Sequence, residues 1–238
     1  MRKLFISAGH SSKKGKSING KPIDNGAVGN GYIEGELTVE LRDLLCKYLK
    51  LLGVKPIVDD NDSILSQTIN TFRNLTNSNS VLIDLHWNSF NSKSTGVETL
   101  IPENPTDFER SLAEKISKTI GSTLGIPLRG KKGVKLESES QHKRLGWMRL
   151  AGENILIEVC FISNPNDMAS YQKNKEILAQ RLAVVIKDSL EDSKTNYKVQ
   201  KGDSLTKIAT KFRTTVTKIK LDNNLKSDLI QVGQDLKI

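Results

Sequence analysis

Residues 4–12 read LFISAGHSS, a short apolar run driven into Gly9-His10 and followed at once by a polar, lysine-rich stretch. Two kinds of segment open in this way: a secretory leader, or a first strand that ends in a histidine at the rim of a sheet. A leader needs an apolar stretch of roughly 7 to 15 residues and a small-residue cleavage site, whereas the run here is only Leu4 to Ile6 before Ser7. The stretch is therefore expected to be the first strand of the mature fold, with Gly9 turning the backbone so that His10 faces the rim. No window approaches the roughly 18 consecutive apolar residues of a membrane span. The expectation is a soluble chain made in the cytoplasm without a signal peptide.

Outward from this strand, apolar runs alternate with helical periods. A Gly- and Asn-rich loop, SINGKPIDNGAVGNGYIEGE, leads to a helix expected from Glu36, where Leu37, Leu41, Leu44, Leu45, Tyr48 and Leu52 recur at the 3.6 period before Gly53 stops it. VKPIVDD reads as a second strand, Asp62-Ser63 as the cap of a helix to about Leu75, and VLIDLH as a buried strand. GVETLI is a further strand, and TDFERSLAEKISKTIGSTLG an amphipathic helix capped by Thr106. A basic loop from Arg129 to Arg144 precedes the core strand ENILIEVCFI, and Pro165-Asn166-Asp167 opens a helix to about Leu190. This order predicts an α/β domain over residues 1–190, with a mixed, mostly parallel central sheet flanked by helices.

EDSKTN, residues 191–196, lacks apolar periodicity and reads as a linker. Residues 197–238 then give strand, helix, helix, strand, a small α+β module with the order βααβ. Its first helix is expected to be capped by Asp203, with Leu205, Ile208, Ala209 and Phe212 forming one apolar face.

With 238 residues and 37% hydrophobic composition, the chain can bury one full core and a small second one. Cys46 and Cys160, the two cysteines, fall in apolar patterns and read as buried thiols. A net charge of +9 and a pI near 9.4 imply attraction to a polyanion: nucleic acid, an anionic membrane or an acidic cell wall. Aromatic residues make up only 5%, and no aromatic-plus-arginine platform for stacking bases is visible, which argues against nucleic acid.

Three histidines carry the remaining chemistry. His10 follows the first strand, His86 ends VLIDLH, and His142 lies in the polar stretch ESESQHKR. Two strand-end histidines on one sheet rim, joined by a carboxylate, would form a three-ligand catalytic zinc site with an open position for water. Taken alone, such a pair is more often structural. Glu158 stands inside ILIEVCFI, and a lone carboxylate in a buried strand costs several kcal/mol unless it is paired or neutralised.

Motif order resolves the choice. AGH, GYIEGELTVEL, DLHWNS and ILIEVCFISNPND together resemble the type 3 zinc-dependent N-acetylmuramoyl-L-alanine amidases of bacterial autolysins and phage endolysins, over roughly residues 1–190. The resemblance implies one zinc ion held by His10, Glu36 and His86, with Glu158 as catalytic base. Glu36 is preferred because ELTVEL matches the family's E-x-x-x-N-L, with Glu34 as the alternative. It further implies that Asn88 supports His86 from behind. Arg144 and Arg149 either contact substrate carboxylates or are structural, and His142 is a substitute ligand, a proton donor or a solvated loop residue. The sequence departs from the family at IVDDND and SQTINTF, which touches peptide specificity more than the metal site.

YKVQKGDSLTKIATKF, followed by NNLKSDLIQVGQDLKI, is similar to the LysM family, which binds N-acetylglucosamine-containing glycans. Carried over, its groove would use Gly202, Asp203, Ser204, Leu205 and Thr206 on one side and Asn223, Leu225 and Ile230 on the other. Asp222 stands where the family more often has an apolar residue. The two resemblances together imply a peptidoglycan amidase anchored to the cell wall, in the style of an endolysin released by a holin. The alternatives are a non-catalytic peptidoglycan-binding protein and a zinc peptidase acting on the stem peptide.

Overall fold

A computed structural model describes residues 2–11, 24–61, 63–191, 196–212 and 214–238. They form two compact units, Arg2–Lys187 and a smaller one within Asp188–Ile238. In the larger unit the strands are β1 (Lys3–Ser7), β2 (Val28–Gly29), β3 (Tyr32–Ile33), β4 (Ile57–Val58), β5 (Ser80–Asn88), β6 (Glu98–Ile101), β7 (Val134–Leu136) and β8 (Glu153–Phe161). The helices are α1 (Glu34–Leu51), α2 (Leu65–Arg73), α3 (Asp107–Leu124) and α4 (Pro165–Glu191), the last of which ends just past the boundary at Lys187.

Six strands make the central sheet in the order β4-β1-β5-β8-β6-β7, and only the β6–β8 pair is antiparallel. This is the mixed, mostly parallel sheet expected from alternating strands and helices. The register brings Phe5 beside Leu82, Ser7 beside Asp84, and His86 beside Glu158, which in turn lies beside Glu98. Because side chains alternate faces every residue, Phe5, Leu82, Leu156 and Leu100 share one face with Ser7, Asp84, His86, Glu158 and Glu98. That face is apolar at one end, where Phe72 of α2 and Trp147 pack on Phe5, Leu82, Leu100 and Leu156. Toward the C-terminal ends of β5 and β8 the same face turns polar, and the site lies there. The opposite face carries Trp87, which meets Tyr171 of α4 edge to face, and Thr99, which bonds Ser117 of α3 at 2.8 Å.

Local chemistry sets the helix ends. Thr106 Oγ1 accepts from Glu109 N at 3.1 Å while Glu109 Oε2 accepts from Thr106 N at 2.8 Å, the reciprocal capping box. Asn164 Oδ1 accepts from the N–H groups of Asn166 and Asp167 at the start of α4. α2 begins at Leu65 rather than at Asp62-Ser63; Ile64 N donates to Gln67 Oε1 at 3.1 Å, and Asp62 lies outside the described residues. The loop from Arg129 to Arg144 contains β7, which is only three residues long and interrupted by Lys135. Both cysteines are free and buried.

The smaller unit contains β9 (Asn196–Lys198), α5 (Leu205–Lys211), α6 (Val216–Asp222) and β10 (Asp235–Lys237), with β9 and β10 antiparallel. Val199, Leu205, Ile208, Ala209, Ile219 and Leu236 form its core. Ser204, not Asp203, caps α5, with Oγ accepting from Lys207 N at 3.2 Å. Asp203 instead holds the preceding turn, accepting from Tyr197 Oη and Gln200 N at 2.7 Å each. Asp222 does not disturb the packing, since it is exposed and pairs with Lys218 one turn earlier at 2.5 Å.

Candidate metal centre and its surroundings

Three segments far apart in sequence converge at the C-terminal rim of the sheet. β1 delivers His10 through Gly9, whose φ of +67° suits glycine; a Cβ there would lie 2.6 Å from the His86 ring. α1 begins with Glu34, 4% exposed. β5 delivers His86. One donor atom from each of His10, Glu34 and His86 can be chosen so that all lie within 4.8 Å of one another. Glu34 Oε1 is 3.3 Å from His10 Nε2 and 3.2 Å from His86 Nδ1, and it also accepts from Trp87 N at 2.9 Å. Its Oε2 accepts from Ala27 N at 2.7 Å. Gly26, φ +70°, permits this crowding, because a Cβ would come 2.5 Å from Glu34 Oε2.

The sheet is irregular at this point. His86 faces Glu158 but Asn88 faces Phe161, so β8 carries one residue more than β5 over this step. Such bulges re-aim side chains next to sites.

Behind His10, Ser7 Oγ and Ala8 N donate to Asp59, and Gly9 N donates to Ser7 Oγ at 3.0 Å. Arg42, itself buried, pairs with Asp59 at 2.8 Å. Removing either partner would strand a buried charge, at a cost of about 3–5 kcal/mol. The end of β1 is thus fixed from α1 and from the segment after β4.

Charge in the cluster is shared. Burial opposes protonating His10, but Asp24 and Glu34 outweigh it and raise its pKa to about 9. Burial likewise opposes protonating His86, and Asp84 with Glu34 raises its pKa well above the ordinary value. Glu34 would be pushed up by burial, yet the two histidines hold it well below the usual carboxylate range. Burial raises Glu158 to about 7, and its Oε2 is sealed without a hydrogen-bond partner among the described residues. Glu98, beside it, is also penalised by burial, but Lys135 at 2.7 Å and Arg129 at 2.7 Å keep it below its ordinary value.

Two imidazoles and one carboxylate are the donor set of a catalytic zinc. A buried carboxylate oxygen left without a partner on the neighbouring strand suits a site built around a reacting water. The residues fit the ion.

Residues 4–192 match the family described as N-acetylmuramoyl-L-alanine amidase (Amidase_3), and residues 197–238 match the LysM domain. The chain belongs to the Amidase_3 family. The catalytic domain of CwlV, N-acetylmuramoyl-L-alanine amidase from Bacillus (Paenibacillus) polymyxa, superposes with a TM-score of 0.61 at 22% identity, covering 80% of this chain and 99% of that one. N-acetylmuramoyl-L-alanine amidase LytC of Bacillus subtilis is 24% identical over 173 residues, 71% of this chain and 31% of LytC. "Probable peptidoglycan endopeptidase LytE" of the same organism is 59% identical over 44 residues, 18% of this chain and 13% of LytE. The matches thus span less than a third of LytC and of LytE.

Within this Amidase_3 domain the structure brings together His10, His86 and Glu158 but replaces Glu36 with Glu34. The reason is helical phase. α1 starts at Glu34, and a residue two positions on is rotated by about 200°, so Glu36 is exposed. Glu34 continues the buried stripe Leu37, Leu41 and Leu45, while Glu36 continues the charged line Glu40, Asp43 and Lys47. That periodicity was present in the sequence and distinguishes the two.

Other expectations change as well. Asn88 Nδ2 donates to Glu98 Oε1 at 3.0 Å, so Asn88 supports Glu98 rather than His86. Arg149 pairs with the buried Glu137 at 2.7 Å. Arg144 and His142 are exposed on the loop before β8, and His142 is not part of the His10–Glu34–His86 cluster. Asp84, Asp24, Glu98, Lys135 and Arg129 were not anticipated.

In the LysM domain, Gly202, Ser204 and Thr206 are exposed and Asp203 is half-buried, whereas Leu205 belongs to the core. Asn223 is occupied internally, bridging Ile219 O and both backbone groups of Lys237. Leu225 and Ile230 pack partly against the core. A groove of about 330 Å³ is lined by Thr217, Lys220, Leu221, Asn224 and Leu225, sharing only Leu225 with the expected set.

Proposed function

We propose that this chain is a zinc-dependent peptidoglycan hydrolase that cleaves the amide between the lactyl carbonyl of N-acetylmuramic acid and L-alanine. The observation that carries this reading is the His10–Glu34–His86 cluster with Glu158, whose buried Oε2 has no hydrogen-bond partner among the described residues, on the adjacent strand, in a chain of the Amidase_3 family.

His10, Glu34 and His86 would hold the ion. Zinc bound there supplies Lewis acidity, polarising the amide carbonyl and lowering the pKa of a water toward about 7. Glu158 takes the proton of the attacking water and delivers it to the leaving amine. Before any ion binds, burial raises its pKa to about 7. The products are a lactyl carboxylate and a stem peptide with a free N-terminal alanine.

The LysM domain would hold the enzyme on N-acetylglucosamine-containing strands of the wall, through Gly202, Asp203, Ser204 and Thr206 and the facing loop at Asn223, Leu225 and Ile230. A lytic role of the endolysin type belongs to the same proposal, and expression together with a holin is expected to lyse a host cell. No helix among the described residues is long and apolar enough to cross a membrane.

Digestion of purified peptidoglycan tests the bond. New N-terminal alanine without new reducing sugar is expected. Intact lactyl-alanine linkages beside cut stem peptides would make the enzyme a peptidase, and no cleavage of either kind would leave a wall-binding protein.

A further inference from the structure

We propose that Asp84 is a positioning residue that fixes the imidazole of His86, so that Nε2 carries the proton and Nδ1 presents its lone pair to the cation. This rests on the metal-site reading above. Asp84 is fully buried, two residues before His86 on the same face of β5. Its Oδ2 lies 3.0 Å from His86 Nε2, while His86 Nδ1 lies 3.2 Å from Glu34 Oε1. The two ring nitrogens therefore face different groups: one the aspartate behind it, the other the cluster in front.

Nothing else explains that aspartate. Its Oδ1 has no hydrogen-bond partner among the described residues, and its sheet neighbours on the two flanking strands are Ser7 and Leu156. A carboxylate sealed in a central strand is costly unless a charged or donating partner compensates it; His86 is the partner within ion-pairing distance among the described residues. A carboxylate behind a ligating histidine fixes its tautomer and ring orientation and strengthens it as a donor. His10 has a weaker version of this arrangement, since its Nδ1 is 3.1 Å from Asp24, whose side chain is 53% exposed.

The full-length protein tests this with Asp84→Asn, which preserves size and an acceptor oxygen but not charge, and with Asp84→Ala. Zinc affinity, read by competition with a chromophoric chelator, is expected to fall about 10- to 100-fold in Asp84→Ala and by less in Asp84→Asn. Asp24→Asn should lose less than Asp84→Ala. The zinc-loaded wild type should show His86 protonated at Nε2 in nitrogen-detected NMR, and the visible spectrum of the cobalt(II) form should shift in both Asp84 variants. Unchanged affinity and spectrum in Asp84→Asn and Asp84→Ala, or ligation through Nε2, would overturn the assignment. Should Asp84→Ala not fold, Asp84→Asn and the wild-type NMR carry the test. A wild-type chain that takes up no divalent cation would instead overturn the metal site itself.

Discussion

Protons and a bound cation would compete for the same lone pairs in the rim cluster. His10 titrates near 9 and His86 well above its ordinary value, so at neutral pH both rings hold protons that a divalent ion must displace. Metal uptake is expected to release protons, up to one from each histidine, and to strengthen as pH rises toward 9. Calorimetry in buffers of different ionisation enthalpy measures this, and proton-neutral uptake at pH 7 would contradict it. The same shifts bear on the metal-free fold. A raised histidine pKa contributes stability that is complete below pH 6.5 and lost as pH rises through about 9 for His10.

The two candidate glutamates separate cleanly at this scale. Glu34→Gln is expected to weaken zinc retention on dialysis, while Glu36→Gln should retain the metal, because its side chain lies on the exposed side of α1. Glu158→Gln should retain zinc and lose turnover by about 100-fold or more; full turnover would remove it from the mechanism. His10, His86 and Glu158 were legible in the sequence because each stands in a motif at the end of, or within, an apolar run. Asp84 stood in the same run, VLIDLH, and was silent, since no local pattern reports what a buried carboxylate faces across a sheet.

At the scale of elements, the capping box of α3 does more than start a helix. Thr106 Oγ1 also bonds Glu153 Oε2, and Glu109 Oε1 accepts from Asn154 N at 2.7 Å, so the helix start is tied to the first residues of β8. Thr106→Ala is expected to cost about 1 kcal/mol, measurable as a lower urea midpoint with an unchanged slope. Thr106, the apolar strands and α4 were readable from spacing and capping residues. β7 was not, because three residues with a central lysine carry no period, and its pairing with β6 is decided by tertiary contact. The start of α2 was misplaced for a related reason: Ser63 can cap, but Ile64 occupies that position and Gln67 supplies the bond.

For the whole molecule, charge is unevenly shared. Residues 197–238 hold nine basic residues against four acidic ones, more than half of the net +9 in under a fifth of the chain. Deleting residues 197–238 is expected to weaken sedimentation with cell walls while hydrolysis of soluble muropeptides persists; equal losses would count against an anchoring role. Wall binding by the intact chain should fall between low salt and about 0.5 M, since exposed charges are screened within a few ångströms there.

The parallel pairing of β1 with β5 joins residues some 77 positions apart, Lys3 with Ser80, and Glu158 lies on the strand added after that. During synthesis the His10–Glu34–His86 cluster can be complete only once β5 has emerged, and Glu158 follows with β8. Most of the first domain must therefore be made before these four residues can meet. In the purified protein, zinc release under denaturant should coincide with loss of the central sheet, because His10, Glu34 and His86, which would hold the ion, share no local segment that could keep them together on their own.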